Sequence, residues 1–244
     1  MTNNDWDKHA QLYDETQGKT GDIAHQLLFD PIITEVLGDL SDKVVLDAGC
    51  GNGYWVRRLV KSAAKVVGID ESSQLIEIAK KKKNPDNAEF RVMDLLGDLD
   101  FVDATFDIIL SSMVFHYLPS LDKPASEFQR ILKPRGRVVI CIQHPLYQYH
   151  FRALDKAGKK AETFPKTVGY FDRTAIKQVT LFGKAELTTY NRPLEDYFKA
   201  FFKESFVLTD FREPEYTEEL LEKNPRYKEV REIPRALILE FKKP

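Results

Sequence analysis

The run Val44-Val45-Leu46-Asp47-Ala48-Gly49-Cys50-Gly51-Asn52-Gly53-Tyr54-Trp55 limits what this chain can fold into more than any other stretch. A short apolar segment that ends in an acid and enters three alternating glycines reads as a buried strand, a tight turn and a following helix. Glycine at 49, 51 and 53 removes every second side chain from the turn, so the backbone can take positive φ and a ligand can lie against its amides. The spacing is not the dinucleotide fingerprint. Counted from Gly49 and Gly51, the pattern G-x-G-x-x-G puts Tyr54 where a third glycine is needed for close helix–strand approach, which disfavours a nicotinamide-dependent dehydrogenase.

Two further apolar runs repeat the theme. Lys65-Val66-Val67-Gly68-Ile69-Asp70 reads as a second buried strand, and Asp70 falls about twenty residues past the glycine turn, where a carboxylate can accept both hydroxyls of a ribose. The same Asp could instead cap the helix opening at Glu71-Ser72-Ser73. Ala88 to Asp94 alternates as a third strand and again ends in an acid. Phe106 to Leu110 forms a fourth, running into Ser111-Ser112-Met113-Val114-Phe115-His116-Tyr117. A helix over Ser120 to Leu132 and a turn at Lys133-Pro134-Arg135-Gly136 lead to a fifth, Arg137 to Ile142. Asp47, Asp70 and Asp94 at successive strand ends point to one ligand, because such sheets bind ligands outside the carboxyl ends of their strands.

Bulk properties narrow the partners. At 244 residues and 43% hydrophobic, the chain can bury one α/β core. A net charge of -2 gives no electrostatic footprint for nucleic acid, and the lysine run 80–83 reads as the solvated end of a helix. Cys50 and Cys141 are the two cysteines, which suits reduced thiols in a cytoplasmic setting. No run is long and apolar enough for a membrane span, and no metal-ligand spacing stands out.

An acid at a strand end followed by G-x-G-x-G resembles the first motif of the class I S-adenosylmethionine-dependent methyltransferases. The wider sequence is similar to the broad group of small-molecule members that includes quinone-pathway enzymes. That resemblance implies a doubly wound, seven-stranded, mostly parallel α/β sheet with an antiparallel last strand, the late strands being Ser205 to Asp210 and Ala236 to Phe241. It implies S-adenosylmethionine as cofactor and S-adenosylhomocysteine as product. It places the amino group at Asp47 and the methionine part along Gly49, Cys50, Gly51, Asn52 and Gly53. The ribose falls at Asp70 and Glu71, the adenine amino group at Asp94 with Met93 and Leu95 flanking the ring, and Ser111 stands at the end of the fourth strand. Members that methylate the amino nitrogens of bases or of glutamine carry Asn or Asp, Pro, Pro and an aromatic at that strand end. Here Ser111-Ser112-Met113-Val114 stands instead, and the Pro-Cys pair of pyrimidine C5 methylation is missing too.

The expected organisation is a helical lid at 1–40, a cofactor core at 41–143, a substrate cap at 144–192 and a last helix and strands at 193–244. The cap segment is rich in aromatics, which either line an acceptor pocket or form a homodimer interface. Tyr13 from the lid and His144, Tyr170 and Arg192 from the cap are the substrate candidates. His116 and His144, past strands four and five, are candidate general bases or else ordinary hydrogen-bonded histidines. The function expected is methyl transfer to a small-molecule acceptor by in-line displacement. A catalytically silent cofactor-binding sensor is the second reading.

Overall fold

The structure, a computed structural model, describes residues 5–18, 20–148, 169–180 and 184–244. Strands β1 (Val44–Ala48), β2 (Lys65–Asp70), β3 (Ala88–Val92), β4 (Phe106–Ser112), β5 (Leu132–Gln143), β8 (Val207–Arg212) and β9 (Ala236–Lys242) form one sheet in the order β3-β2-β1-β4-β5-β9-β8. Its first five members are parallel, and β9 runs antiparallel to both β5 and β8. This is the doubly wound architecture expected from the sequence. The chain winds outward from β1 to β3, then returns to pair β4 on the other side of β1, which opens a crevice between β1 and β4.

Strands covered on both faces read as continuous apolar runs because neither side meets water. Val45, Ile108, Leu110, Val139 and Cys141 face one layer, built from the helical turn His25–Phe29 and helices α2 (Asp30–Leu37), α3 (Tyr54–Leu59) and α4 (Ser73–Lys81). Leu46, Ile109, Val138, Ile140 and Phe241 face the other, against α5 (Asp122–Ile131) and α6 (Leu194–Lys203). A register shift between Phe106 and Ile108 swings Phe106 to the second layer, out of step with its strand.

The N-terminal helix α1 (Asp5–Gln17) is fastened across the crevice by polar contacts rather than by a core stripe. Asp7 Oδ1 accepts from Ser72 Oγ at 2.6 Å and from the Gln74 amide at 3.0 Å, so an acid of α1 sits on the N-terminus of α4. Lys82 Nζ pairs with Asp14, and Asn52 Nδ2 donates to the same Asp14 oxygen at 2.7 Å. One member of the lysine run therefore has a tethering partner, where the sequence suggested only a solvated terminus. The segment around Asp30-Pro31 restarts a helix as expected, yet Asp30 turns inward and is 1% exposed. A hairpin of β6 (Ala175–Thr180) and β7 (Ala185–Tyr190) lies against α1 and the one-turn helix Phe115–Tyr117. Helix α7 (Glu218–Lys223) and a turn at Pro225–Glu229 precede β9. Much of the expected cap, 149–168 and 181–183, lies outside the described residues.

Candidate active site

A cavity of about 780 Å³ occupies the crevice at the carboxyl ends of the strands. Its two halves have opposite character, and the split follows the winding of the sheet. On the β1–β3 side the wall carries Asp47, Asp70, Glu71 and Asp94, with Met93 and Leu95 between them. On the β4–β5–β9 side stand Met113, Val114, Gln143, Tyr147 and Arg235. Trp6, Tyr13 and Gln17 of α1 and Gln178, Leu187 and Tyr190 of the hairpin complete the lining.

The glycine turn works differently from the sequence expectation. The amides of Gly49 and Cys50 both donate to the Ile69 carbonyl at 2.8 Å, Gly51 donates to Asp70 Oδ2 at 2.8 Å, and Gly53 to the Cys50 carbonyl at 2.9 Å. These donors are consumed by the end of β2 and, for Gly53, within the turn, so they offer no nest for an anion. The glycines are needed for backbone shape and close packing. Gly49 has φ +82°, and a Cβ there would lie 2.3 Å from Val114 Cγ2. Gly53 packs on the Phe90 ring, 2.7 Å from where a Cβ would be, and does not line the cavity. Gly51 does line it, beneath the Tyr13 ring.

Electrostatically, the acidic half is set up for a cation. Asp47 is 1% exposed and its Oδ2 has no hydrogen-bond partner. Burial first, then Asp70, raises its pKa to about 8, against the lowering effect of a Val56 backbone hydrogen bond and, less, of Arg57. Burial also lifts Asp70 to about 6, against the lowering effect of the Ser72 and Gly51 amides that it accepts. Glu71 rises to about 7, through burial and then the neighbouring Asp94 and Asp70. A pyrophosphate would meet carboxylates here and find the turn amides already used, which argues against a dinucleotide more directly than Tyr54 does.

The other sequence candidates divide. Cys50 lines the cavity with its thiol pushed well up by burial, so it is no nucleophile at neutral pH. Asn52 is buried beneath the turn on Asp14, and Ser111 Oγ donates to the Ala48 carbonyl at 2.8 Å, stitching β4 to β1; neither lines the cavity. Among the substrate candidates, Tyr13 faces the cavity and the other three do not. Tyr170 accepts the Leu194 amide at 3.0 Å at the start of α6. Arg192 donates to the carbonyls of Phe115 and Leu118, pinning the loop after β4. His144 accepts the Leu146 amide on Nδ1 at 3.1 Å, which leaves Nε2–H to donate to Glu213 at 3.0 Å. His116 is 2% exposed, with its ring 4.2 Å from that of Tyr117. The two histidines thus lie off the cavity wall.

Sequence reading missed Trp6, Gln17, Gln143 and Arg235 as site residues, while Tyr147, one of the cap aromatics, does line the cavity. Gln143 and Arg235 carried a usable signal, since an antiparallel last strand must start beside the end of the fifth. Indeed Gln143 pairs with Ala236, and the His144 amide donates to the Arg235 carbonyl at 3.0 Å.

A doubly wound sheet whose crevice presents acids to one end of a ligand and an apolar, aromatic chamber to the other defines the class: an α/β protein for a nucleoside-bearing, cationic cofactor and a second molecule beside it. Comparison with known proteins is specific. Residues 46–140 match the family described as methyltransferase domain. A demethylmenaquinone methyltransferase of Lactococcus lactis is 30% identical over 184 residues, 72% of this chain and 70% of that protein. One from Tropheryma whipplei is 34% identical over 113 residues, 46% of each chain, so this chain matches about half the length of that relative. The crystal structure of an S-adenosylmethionine-dependent methyltransferase from Mesorhizobium loti superposes with a TM-score of 0.73 at 20% identity, covering 93% of this chain and 100% of that one, a likeness of fold. The chain belongs to the class I S-adenosylmethionine-dependent methyltransferases. The residues present suit that family's cofactor: Asp47 keeps one buried oxygen, Oδ2, without a hydrogen-bond partner, and Asp70 keeps two lone-pair positions beyond its two amide donors.

Proposed function

We propose that this protein transfers the methyl group of S-adenosylmethionine to a small-molecule acceptor held between the hairpin and the ends of β4 and β5. The observation that carries the reading is the buried, partnerless Asp47 Oδ2 in an acidic half-cavity that adjoins an aromatic one. When bound, S-adenosylmethionine supplies an electrophilic methyl on a positively charged sulfur. Asp47 would hold its amino group, Asp70 the ribose hydroxyls and Asp94 the adenine, with Met93 and Leu95 as the apolar side chains beside the ring. Trp6 packs edge-on against Tyr13 at 5.6 Å and Tyr117 at 5.0 Å, so α1 closes the chamber and keeps bulk water from the reacting atoms.

Neither His116 nor His144 has a part in this scheme, because both lie off the cavity wall. The chain acts by alignment, a contribution of roughly 7 to 11 kcal/mol when nucleophile and methyl are held in line. In this reading the described residues of segments 1–40 and 144–192 that line the cavity serve as its covers, and 41–143 serves as the cofactor core. Buried free thiols at Cys50 and Cys141 support a reducing, cytoplasmic setting, and the overall charge supports a small acceptor over nucleic acid. Among the described residues no helix is long and apolar enough to cross a membrane, and no group of three or more His, Cys, Asp or Glu is placed to hold a metal ion.

The test is to incubate the protein with methyl-labelled S-adenosylmethionine and a small-molecule extract. Label appearing in an extract component, with stoichiometric S-adenosylhomocysteine, supports the reading. Tight cofactor binding with no label transferred to any fraction favours a cofactor-binding sensor instead.

A further inference from the structure

We infer that the acceptor carries a carboxylate and that Arg235 anchors it, an inference that rests on the methyl-transfer reading of the cavity. Arg235 immediately precedes β9, whose antiparallel course starts where β5 ends, and its carbonyl is fixed by the His144 amide at 3.0 Å. The side chain therefore enters the cavity across the crevice from the acids of β1–β3. Its guanidinium lies 4.8 Å from the centroid of the Tyr227 ring, 5.4 Å from that of Phe29 and 5.9 Å from that of Tyr147. Those rings fix its position and take it partly out of water.

What the rings do not supply is an anion. Arg235 Nη1 is buried with no hydrogen-bond partner, and among the described residues no carboxylate forms an ion pair with the side chain. Nearby acids are committed elsewhere. Asp30 is held by His25 Nδ1 at 3.2 Å, by the Tyr54 hydroxyl and by Arg58 at 3.4 Å, while Glu213 accepts a hydrogen bond from His144 Nε2 at 3.0 Å. A buried guanidinium donor left unpaired is costly, and its planar fork matches a carboxylate. Arg226, exposed on the turn before β9, lines the same half-cavity and adds a second positive charge, with Gln143 as a neutral polar contact.

The arrangement sorts charge along the cavity. Acids at one end receive the cationic cofactor, and arginine at the other receives the acceptor, so an organic acid enters without having to sit among Asp47, Asp70 and Asp94. The aromatic rings beside Arg235 fit an acceptor with a flat or apolar body.

The test uses the full chain saturated with S-adenosylhomocysteine and ligand-observed NMR titration of benzoate against benzamide, 3-phenylpropionate against its amide, and inorganic phosphate. Each acid is expected to bind at least tenfold more tightly than its amide and than phosphate. Arg235→Gln should erase that preference while S-adenosylhomocysteine affinity stays within threefold; Arg235→Lys, which keeps the charge but not the fork, should weaken acid binding several-fold. Equal binding of acid and amide in the unmodified protein overturns the inference without any variant, as does a preference that survives in Arg235→Gln. Phosphate binding as tightly as benzoate also overturns it, since that marks a bare cation with no organic pocket. Failure of the methyl-transfer reading would look different: the unmodified protein would transfer no label from S-adenosylmethionine to any component of the extract, whatever its preference between acid and amide.

Discussion

The amide of Gly51 donates to Asp70 Oδ2 at 2.8 Å, so the turn after β1 is laced to the acid that ends β2. The other oxygen of the same carboxylate accepts the Ser72 amide at 2.9 Å and so steadies the start of α4. One side chain both shapes the cavity wall and lines it.

Asp70→Ala should for that reason cost folding as well as binding. A hydrogen bond to a charged group is worth about 1.5 to 3 kcal/mol, and a loss of about 2 kcal/mol lowers Tm by roughly 4 to 8 °C in a chain of this size. From sequence alone the loss would be assigned almost wholly to cofactor affinity. Thermal melts and S-adenosylhomocysteine titrations of Asp70→Ala and Asp70→Asn together separate the two effects. An unchanged dissociation constant in both variants removes Asp70 from the site.

The acid pair gives the protein a pH dependence of definite sign. Asp47 and Asp70 are raised from 3.8 to about 8 and about 6, so the folded chain holds protons that the unfolded chain releases. Their contribution to stability is full below the unfolded value and is lost as pH rises through about 6 and then about 8. A bound cation reverses the preference, because it favours the deprotonated acids. Cofactor affinity should therefore increase from pH 6 to pH 8.5 with proton release near pH 7, measurable by calorimetry in buffers of different ionisation enthalpy. Affinity flat across that range contradicts the assignment.

Two glycines of one motif should respond unequally. An alanine at Gly49 meets Val114 at 2.3 Å, close to the backbone on a stiff β-branched side chain, whereas at Gly51 it meets the Tyr13 ring at 3.0 Å, the far end of a lid side chain. Both positions are left-handed, which costs an alanine roughly 1 to 2 kcal/mol. Gly49→Ala should lose more stability in urea than Gly51→Ala, and Gly51→Val should abolish S-adenosylhomocysteine binding. The opposite ranking in urea would show that the Val114 contact does not set the constraint.

Trp6→Ala should open the chamber by removing the ring that bridges Tyr13 and Tyr117. Methyl transfer should fall at least tenfold while the melting temperature stays within a few degrees, since α1 adds little to the buried core. Retained turnover would assign α1 a purely structural role.

What could be read in advance was the part governed by local chemistry. Apolar strands ending in Asp47, Asp70 and Asp94 follow from burial on both faces of a parallel sheet, and they located the cavity's acidic wall. The chamber beside it was legible only in part: Tyr13 of the lid is there, and Gln143 and Arg235 carried a signal in the antiparallel last strand, whereas Trp6, Gln17 and the hairpin residues are brought together only by the folded topology. Polar residues expected there, Tyr170, Arg192 and His144, instead satisfy backbone groups around the chamber, a need that composition does not reveal. The turn amides were misjudged for the same reason: their acceptors, Ile69 and Asp70, lie on the neighbouring strand.

The most direct test of the central claim is calorimetric titration of S-adenosylmethionine and of NAD into the unmodified protein and into Asp47→Asn. S-adenosylmethionine should bind the unmodified protein, NAD should not, and Asp47→Asn should weaken S-adenosylmethionine at least tenfold, about 1.4 kcal/mol, with the fold intact by circular dichroism. Binding of NAD, or an Asp47→Asn variant that binds S-adenosylmethionine as tightly as the unmodified protein, would contradict it.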